Sequence, residues 1–234
     1  MIKLKNLNIG YNSDLLTIEE INLEQGQVYI LLGKNGSGKS TFLKTLSAQI
    51  PVRSGECQLD GKEISQITHR DLPKLVSFVS SRLEDTDFLT AFDYIGLGRS
   101  PYTNGFGRLH PLDLVKIYNA IDLLGIDHLK DRFIGQLSDG ERQLVAIAKS
   151  IAQETDILLL DEPTAFLDYT NKMMIIERLK TIAQELNKCI ILSSHDLDLS
   201  IDSDCPFLVV NQHTNTIDLL SAETQKDQLI QKAY

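Results

Sequence analysis

The hydrophobic positions of the chain form two kinds of pattern, one typical of buried strands and one typical of helices. Five short, continuous apolar runs occur at 28–32 (VYILL), 75–80 (LVSFVS), 157–160 (ILLL), 189–192 (CIIL) and 207–210 (FLVV). Runs of this length favour strands that are buried on both faces of a largely parallel sheet. Near the N-terminus, further strand structure is predicted by Ile2, Leu4, Leu7 and Ile9.

Between residues 86 and 155 the apolar positions recur at helical spacing instead. The spacing predicts two apolar helix faces, the first formed by Leu114, Ile117, Ile121 and Leu124 and the second by Leu144, Ile147, Ala148, Ile151 and Ala152. Ser138 precedes the second helix and Glu141 follows three positions later, which is the pattern of a capping box. We therefore expect an α/β core at about 1–85 and 156–234, with a helical block at about 86–155 inserted into it.

The composition fits one folded domain of moderate size. The chain has 234 residues, of which 42% are hydrophobic and 24% charged, so it can bury one sizeable core with room for a subdomain. The formal net charge of −9 argues against a broad electrostatic contact with nucleic acid. No window approaches about eighteen consecutive apolar residues, and MIKLKNLNIGY lacks the apolar core of a signal peptide. If the protein acts at a membrane, we expect a partner to hold it there.

The three cysteines, Cys57, Cys189 and Cys205, have irregular spacing. An odd number without a metal-ligand pattern favours reduced, partly buried thiols over a disulfide framework. Such thiols are typical of a protein of the cytosol.

The sequence GKNGSGKS lies between the apolar run VYILL and the helical stretch TFLKTLSA, which is the context of a phosphate-binding loop. Glycines allow successive backbone amides to surround phosphate oxygens, and the helix N-terminus adds partial positive charge. Lys39 would bring a full positive charge to the β and γ phosphates, and the Ser40 hydroxyl would bind Mg²⁺. The predicted nucleotide-binding residues of this segment are Gly33, Lys34, Asn35, Gly36, Ser37, Gly38, Lys39, Ser40 and Thr41.

Two adjacent carboxylates follow the apolar run 157–160. Alone, Asp161 and Glu162 would indicate no more than an acidic turn after a strand. With a phosphate-binding loop in the same chain, they are typical of a nucleotide hydrolysis site, since ligands bind at the carboxyl ends of parallel strands. Asp161 would hold Mg²⁺, usually through water, and Glu162 would polarise the water that attacks the γ phosphate.

A histidine, His195, follows the run 189–192 in the sequence IILSSHD. Taken alone, a histidine after a strand is more often structural or solvated than catalytic. Because the ends of parallel strands converge, His195 could also reach the γ phosphate and orient the attacking water.

These segments together resemble the ATP-binding cassette (ABC) ATPases, in which LSDGE (137–141) matches the signature motif. The resemblance covers essentially the whole chain. It implies an α/β P-loop NTPase core with a mainly parallel sheet, an N-terminal antiparallel β portion and an inserted helical subdomain. It also implies ATP and Mg²⁺ as ligands and a head-to-tail dimer with a second copy of the chain. The signature residues Ser138, Asp139, Gly140 and Glu141 would act on the partner's nucleotide, with the Ser138 hydroxyl and the Gly140 amide at the γ phosphate.

The same resemblance assigns roles to residues outside these motifs and exposes two departures. Tyr11 occupies the place of an aromatic residue that stacks on adenine, and Ala165–Asp168 matches a loop that crosses the dimer interface, with Asp168 at its end. Ser81 stands where most members have a glutamine that senses Mg²⁺ and signals to the membrane partner. Asp139 stands where glycine is common, and we expect its side chain to point away from the phosphates.

The sequence GLGRSPYTNGFGRL in the helical block resembles ATPase subunits of bacterial importers for iron–siderophore complexes, haem and cobalamin. This resemblance implies transmembrane permease subunits as partners, an extracytoplasmic substrate-binding protein acting indirectly, and a position at the cytoplasmic face of the bacterial inner membrane. It also implies a groove at roughly 80–105 that receives a permease helix.

The alternative is a soluble ABC ATPase of an assembly system, such as iron–sulfur cluster biogenesis. A module that only binds ATP is disfavoured by the presence of both Glu162 and His195.

Overall fold

Strands and helices alternate along most of the chain in the computed structural model, which describes residues 1–81, 86–104, 107–165 and 167–233. The strands are β1 (Ile2–Ile9), β2 (Leu16–Leu23), β3 (Gln27–Leu32), β4 (Ser54–Leu59), β5 (Lys62–Glu63), β6 (Val76–Val79), β7 (Ile157–Leu160), β8 (Cys189–Ser194), β9 (Phe207–Asn211) and β10 (Thr216–Leu220). The helices are α1 (Lys39–Leu46), α2 (Leu72–Leu75), α3 (Ala91–Gly96), α4 (Pro111–Leu124), α5 (Asp139–Ala152), α6 (Tyr169–Glu185), α7 (Leu197–Asp202) and α8 (Lys226–Ala233). Short 3₁₀ helices span Ile64–Gln66, Leu97–Tyr102, Asp127–Leu129 and Ile134–Gln136.

The strands form one mixed sheet in the order β5-β4-β1-β2-β10-β9-β3-β8-β7-β6. At one end, β1 pairs antiparallel with both β2 and β4, and β4 pairs antiparallel with β5. At the other end, β9, β3, β8, β7 and β6 are parallel neighbours. The predicted combination of a mainly parallel core with an N-terminal antiparallel portion is therefore confirmed.

The central strands are apolar throughout because both of their faces are covered. In β3, Val28, Ile30 and Leu32 contact the hydrophobic cluster that includes the helical block. The residues between them, Tyr29 and Leu31, contact a second cluster on the opposite face, with α1 and the antiparallel strands. Successive side chains of a strand point to opposite faces, so burial on both sides requires a continuous apolar run rather than an alternating one.

All five apolar runs and the N-terminal stretch are strands, as predicted. Among the described residues the sequence prediction lacked β2, β4, β5 and β10, which have polar positions at the surface. In α4, Ile117, Ile121 and Leu124 are buried as predicted, but Leu114 is 37% exposed, so its place on the apolar face was wrong. The α4 face instead includes Ala120, which is fully buried. In α5, Leu144 is only partly buried.

Between β6 and β7 the described residues form helices joined by turns and coil, with an isolated bridge between Thr90 and Phe133 and no β-strand. Its first predicted boundary falls at residues 82–85, which lie outside the described residues. The division at about 1–85, 86–155 and 156–234 therefore stays a prediction. Within the described part of the chain, no helix has the length and apolar character needed to cross a membrane.

The three predicted buried thiols are buried: Cys57, Cys189 and Cys205 all lie inside the protein as free cysteines. Burial raises the pKa of the Cys57 thiol to about 12. A thiol with a raised pKa is almost entirely protonated at neutral pH and is a poor nucleophile.

A buried arginine ties the helical block together. Arg99, in the GRSPY sequence, is only 5% exposed. Its guanidinium donates hydrogen bonds to the Asp113 carboxylate of α4 at 2.9 Å and to the Ala152 carbonyl of α5 at 2.7 Å. It also donates to Glu154 at 2.9 Å, and it lies 4.2 Å from the centre of the Tyr102 ring. This part of GRSPY therefore holds helices together.

We expect Arg99→Met to destabilise the protein by about 3–5 kcal/mol, because it leaves the buried Asp113 carboxylate without its cation. The matched control is Arg53→Met, since Arg53 makes its ion pair with Asp14 at the surface. That change should cost about 0–1 kcal/mol. Urea unfolding of both variants measures the difference, and equal midpoints would show that the buried ion pair contributes no special stability.

Candidate functional site

The phosphate-binding loop connects the end of β3 to the start of α1, as predicted. Two of its glycines have positive φ angles, 77° at Gly36 and 104° at Gly38. Gly38 is the residue that precedes α1, and a Cβ atom there would lie 2.7 Å from Leu16. A Cβ atom at Gly33 would lie 2.8 Å from the Ser37 hydroxyl. Glycine is therefore required by conformation at Gly38 and by space at both Gly33 and Gly38.

The Lys39 side chain lies inside the loop. Its ammonium group donates hydrogen bonds to the carbonyl oxygens of Gly33 at 2.7 Å and Lys34 at 3.1 Å. It also lies 3.8 Å from the Glu162 carboxylate. Burial lowers the pKa of Lys39, while the negative charges of Glu162 and Asp161 oppose that shift. The loop thus holds a partly desolvated positive charge, which attracts an anion more strongly than an exposed lysine does.

The loop also offers space to a phosphate chain. A cavity of about 190 Å³ lies against it, and its lining includes Leu15, Asn35, Gly36, Gly38, Lys39, Ser40, Thr41 and Glu162. The buried Ser37 hydroxyl makes no hydrogen bond among the described residues and is not part of that lining. Glycine amides, a lysine and hydroxyl groups are the donors that phosphates require, so the site fits the phosphate chain of a nucleotide.

The two predicted carboxylates lie at the adjacent edge of the sheet. Asp161 follows β7, is 4% exposed, and its backbone amide donates to the Val79 carbonyl at 2.9 Å. Glu162 has a φ angle of +49°, a left-handed conformation that is uncommon for a residue with a side chain. The hydroxyl of Ser193 in β8 contacts both residues: it donates to Asp161 Oδ1 at 2.8 Å and accepts the Glu162 backbone N–H at 2.8 Å.

The Glu162 carboxylate lies between two groups from other strands. Its Oε1 atom is 3.8 Å from Lys39 Nζ and 3.3 Å from His195 Nδ1. The His195 side chain is about half exposed, so it is accessible to solvent. The structure therefore brings together Lys39, Glu162 and His195, the three residues predicted to be catalytic.

The start of α5 has the predicted capping box. The Glu141 backbone N–H donates to the Ser138 hydroxyl at 3.3 Å, and the Ser138 backbone N–H donates to Glu141 Oε2 at 2.8 Å. The Ser138 hydroxyl also donates to Glu141 Oε2, at 2.9 Å, and Arg132 holds the other carboxylate oxygen at 3.1 Å. The hydrogen bond from the Ser138 amide is the largest of the interactions that lower the pKa of Glu141. Glu141 is therefore an ionised partner of the Ser138 hydroxyl in the single chain.

The signature residues face a cavity of their own. This cavity measures about 420 Å³, and its lining includes Ser138, Asp139, Gly140, Glu141, Leu144, Leu167, Asp168 and Asn171. Asp168 begins α6, where its carboxylate accepts the Asn171 backbone N–H at 2.9 Å. Within the described residues, this cavity shares no lining residue with the phosphate-loop cavity. Phe166, between Ala165 and Asp168, lies outside the described residues.

Among the described residues, the lining of the phosphate cavity does not include Tyr11, Ser81 or Asp139. Tyr11 follows β1 and is 64% exposed, and its backbone carbonyl accepts a hydrogen bond from Arg53 at 3.3 Å. Ser81, just after β6, is half-buried. Asp139, the first residue of α5, is exposed. Their predicted roles stay predictions.

Sequence reasoning missed Ser193. It lies in the sequence IILSSHD, where His195 drew attention and the serines did not. The available signal was the pair of serines at the carboxyl end of β8, whose other residues are apolar. A polar group at such a buried position needs a hydrogen-bond partner, and here the partners are the site carboxylates.

A groove separates the parallel strands from the helical block. It measures about 420 Å³, and its lining includes Lys44, Gln49, Phe78, Val79, Ser80, Tyr94, Ala146, Lys149, Ser150 and Gln153. Ser80 and Tyr94 fall inside the predicted groove region, 80–105. Residues 82–85 and 105 of that region, and Phe106 of the GRSPY segment, lie outside the described residues.

Comparisons with known proteins identify the family of the chain. Residues 17–165 match the sequence profile of the ABC transporter family, and the chain belongs to that family. It is 36% identical over 199 residues to the iron(3+)-hydroxamate import ATP-binding protein FhuC of Bacillus subtilis (strain 168), covering 84% of this chain and 74% of that protein. It is 34% identical over 206 residues to the petrobactin import ATP-binding protein YclP of the same strain, covering 87% of this chain and 81% of that protein.

A solved structure extends the similarity to nearly the whole chain. A structure described as a metal-chelate type ABC transporter in an inward-facing conformation aligns with a TM-score of 0.84 and 25% identity, covering 99% of this chain and 88% of that chain. The resemblance to ABC ATPases predicted from the motifs is therefore confirmed, and the protein is an ATPase of this family.

We expect Gly38→Ala to weaken ATP binding by about tenfold, because a side chain at φ 104° adds strain of ~1–3 kcal/mol to the loop that holds the phosphates. Gly36→Ala should weaken binding less, since a Cβ atom there meets nothing within 4 Å. The matched control is Gly61→Ala in the turn between β4 and β5, where φ is 75° and the space is also open. Titration with a fluorescent ATP analogue measures all three, and equal affinities would contradict the assignment of the loop.

Proposed function

We propose that this chain is the ATP-hydrolysing subunit of an importer for iron–siderophore complexes, haem or cobalamin-type substrates. The observation that carries the proposal is the similarity, over most of the chain, to proteins named for the import of iron(3+)-hydroxamate and petrobactin. The alignment with a metal-chelate type transporter supports the same class.

The phosphate loop binds the nucleotide in this proposal. The backbone of 33–41 and the Lys39 ammonium hold the phosphates, and the exposed Tyr11 ring stacks on adenine. The Ser40 hydroxyl and the Asp161 carboxylate would hold Mg²⁺, and oxygen ligands of this kind suit that ion. When bound, Mg²⁺ neutralises the negative charge that develops on the phosphate oxygens.

Glu162 is the general base of the proposed reaction. Its carboxylate accepts a proton from water while the water oxygen forms a bond to the γ phosphorus and the bond to the β–γ bridging oxygen breaks, which yields ADP and phosphate. The 3.3 Å contact with His195 and the 3.8 Å contact with Lys39 hold the carboxylate in place. His195 also orients the γ phosphate and the water.

The catalytic site is completed by a second copy of the chain. The start of α5 of one chain covers the nucleotide held by the phosphate loop of the other, with Ser138 and Gly140 as donors to the γ phosphate. Two separate cavities for these elements within one chain support this arrangement. In the single chain the Ser138 hydroxyl donates a hydrogen bond to Glu141. When the dimer closes, the hydroxyl would have to leave Glu141 and rotate toward the phosphate. Asp168 and its loop contact the partner beside the same cavity.

The permease binds on the groove between the sheet and the helical block. This places the chain at the cytoplasmic face of the bacterial inner membrane, with the extracytoplasmic binding protein on the other side. Ser81 follows Ser80, a lining residue of the groove, and stands where most family members have a glutamine that senses Mg²⁺ and signals to the permease. Because a serine side chain is shorter than a glutamine side chain, its hydroxyl would contact the metal only at closer range or through a water molecule.

We expect Glu162→Gln to bind ATP and form a stable homodimer, because the amide cannot act as the base and removes one negative charge from the closed interface. Gel filtration with light scattering, with and without ATP, measures the assembly. A variant that binds ATP and stays monomeric would contradict the two-chain site.

The matched control is the double variant Glu162→Gln with Ser138→Asp. Aspartate is as good an N-cap as serine, so the Glu141 backbone N–H keeps an acceptor, although the Glu141 carboxylate must turn away from the new charge. The new carboxylate would, however, repel the γ phosphate of the partner's nucleotide. This double variant should bind ATP and remain a monomer.

The importer assignment is tested by purifying the tagged chain from its own cells in mild detergent and identifying the co-purifying proteins by mass spectrometry. We expect a polytopic membrane protein in near-equal amount. Soluble scaffold proteins without a permease would contradict the importer assignment and favour the assembly ATPase.

A further inference from the structure

We propose that Ser193 is a positioning residue that holds Asp161 and Glu162 in their working geometry. This inference rests on the proposed function of those two carboxylates. One buried hydroxyl would then fix both the side chain of Asp161, the proposed metal ligand, and the backbone of Glu162, the proposed general base.

The first argument is the geometry of the hydroxyl. Ser193 is fully buried in β8, the strand between β3 and β7. Its hydroxyl proton is donated to Asp161 Oδ1 at 2.8 Å, and its oxygen accepts the Glu162 backbone N–H at 2.8 Å. The short distances on both sides define the orientation of the hydroxyl completely, because its one proton points to Asp161.

The second argument concerns the Asp161 carboxylate. It is 4% exposed, so it cannot be oriented by bulk water. The bond from Ser193 occupies Oδ1 and fixes the plane of the carboxylate, which determines where Oδ2 is presented. Groups that hydrogen-bond to a metal ligand in this way set its orientation and its affinity for the metal.

The third argument concerns the backbone of Glu162. Its φ angle of +49° is unfavourable for a residue with a Cβ atom and persists only where other contacts hold it. The bond from its amide to Ser193 is such a contact. Two positions further along the same chain segment, His195 contacts the Glu162 carboxylate. One segment therefore holds Glu162 at both its backbone and its side chain.

The first test uses the nucleotide-free protein. We expect the Glu162 amide to exchange with solvent deuterium about tenfold faster in Ser193→Ala, the factor that corresponds to one ordinary hydrogen bond. The matched control is Ser77→Ala, which removes another buried hydroxyl bonded to a side chain, that of Thr155, in a different part of the sheet. It should leave exchange at Glu162 unchanged.

The second test measures the Mg²⁺ concentration that gives half-maximal hydrolysis and half-maximal Mg²⁺-dependent ATP binding. Ser193→Ala should raise both by about tenfold to hundredfold, the usual effect of losing a group that orients a metal ligand. Binding of ATP without Mg²⁺ should stay as in the wild type, because the phosphate loop is intact.

A pair of variants with the same shape separates the hydroxyl from packing. Ser193→Thr keeps the hydroxyl and Ser193→Val replaces it with a methyl group, and both suit a strand. We expect Thr to retain the wild-type Mg²⁺ requirement and Val to behave like Ala. If Thr and Val require the same Mg²⁺ concentration, or if Ala has no effect on exchange at Glu162, the proposal is overturned.

Failure of this inference is distinguishable from failure of the proposed function. If the wild type hydrolyses ATP and Glu162→Gln does not, the general base stands, whatever Ser193 does. If Glu162→Gln hydrolyses ATP like the wild type, the proposed function fails, although the exchange result at Ser193→Ala can still hold.

Discussion

The site depends on one constraint: the carboxyl ends of three adjacent parallel strands lie at the same edge of the sheet. β3, β8 and β7 are paired in register, with Gln27 opposite Cys189 and Cys189 opposite Ile157. Their carboxyl ends therefore lie side by side, and the residues that follow them share a small volume. The phosphate loop and the carboxylates are far apart in sequence, and the register alone brings them to within 4 Å, as at Lys39 and Glu162.

The electrostatics of this edge follow from its burial. Burial removes water from the Lys39 ammonium group and lowers its pKa, while the charges of Glu162 and Asp161 oppose that shift. The carbonyl oxygens of Gly33 and Lys34 accept its hydrogen bonds in place of water. An anion with several charges, such as a triphosphate, adds a further interaction with the same ammonium group. The start of α5 instead has a negative group: the Ser138 hydroxyl donates a hydrogen bond to the ionised Glu141 carboxylate, which Arg132 holds in place. In the proposed dimer, the phosphate loop of one chain would meet the start of α5 of the other.

Local patterns predicted most of this structure, and the failures share physical causes. The double-sided burial of β3, β7 and β8 gives continuous apolar runs that are easy to recognise, whereas β2, β4 and β10 have solvent on part of their surface and a weaker pattern. Leu114 fits the helical period but lies near the start of α4, beyond the edge of its buried face. Periodicity predicts which face of a helix a side chain lies on, but not whether a neighbouring helix extends far enough to cover that side chain.

Long-range contacts could not be predicted from the residues that make them. Ser193 and Arg99 act through partners that are distant in sequence, at Asp161 and at Asp113 and Ala152. The phosphate loop, Asp161 and Glu162 were predicted because their function requires fixed residue types at fixed positions. A single buried hydroxyl or guanidinium that holds neighbouring elements together carries no such local signal, and only the three-dimensional contacts identify it.

The central claim is that one chain contains two half-sites and that hydrolysis needs two chains. The measurement that tests it most directly is the rate of ATP hydrolysis per chain, with saturating ATP and Mg²⁺, over a wide range of chain concentrations. If the site forms between two chains, the rate per chain falls toward zero on dilution and rises to a plateau as dimers accumulate. A rate per chain that stays constant on dilution, while light scattering shows only monomers, would contradict the account.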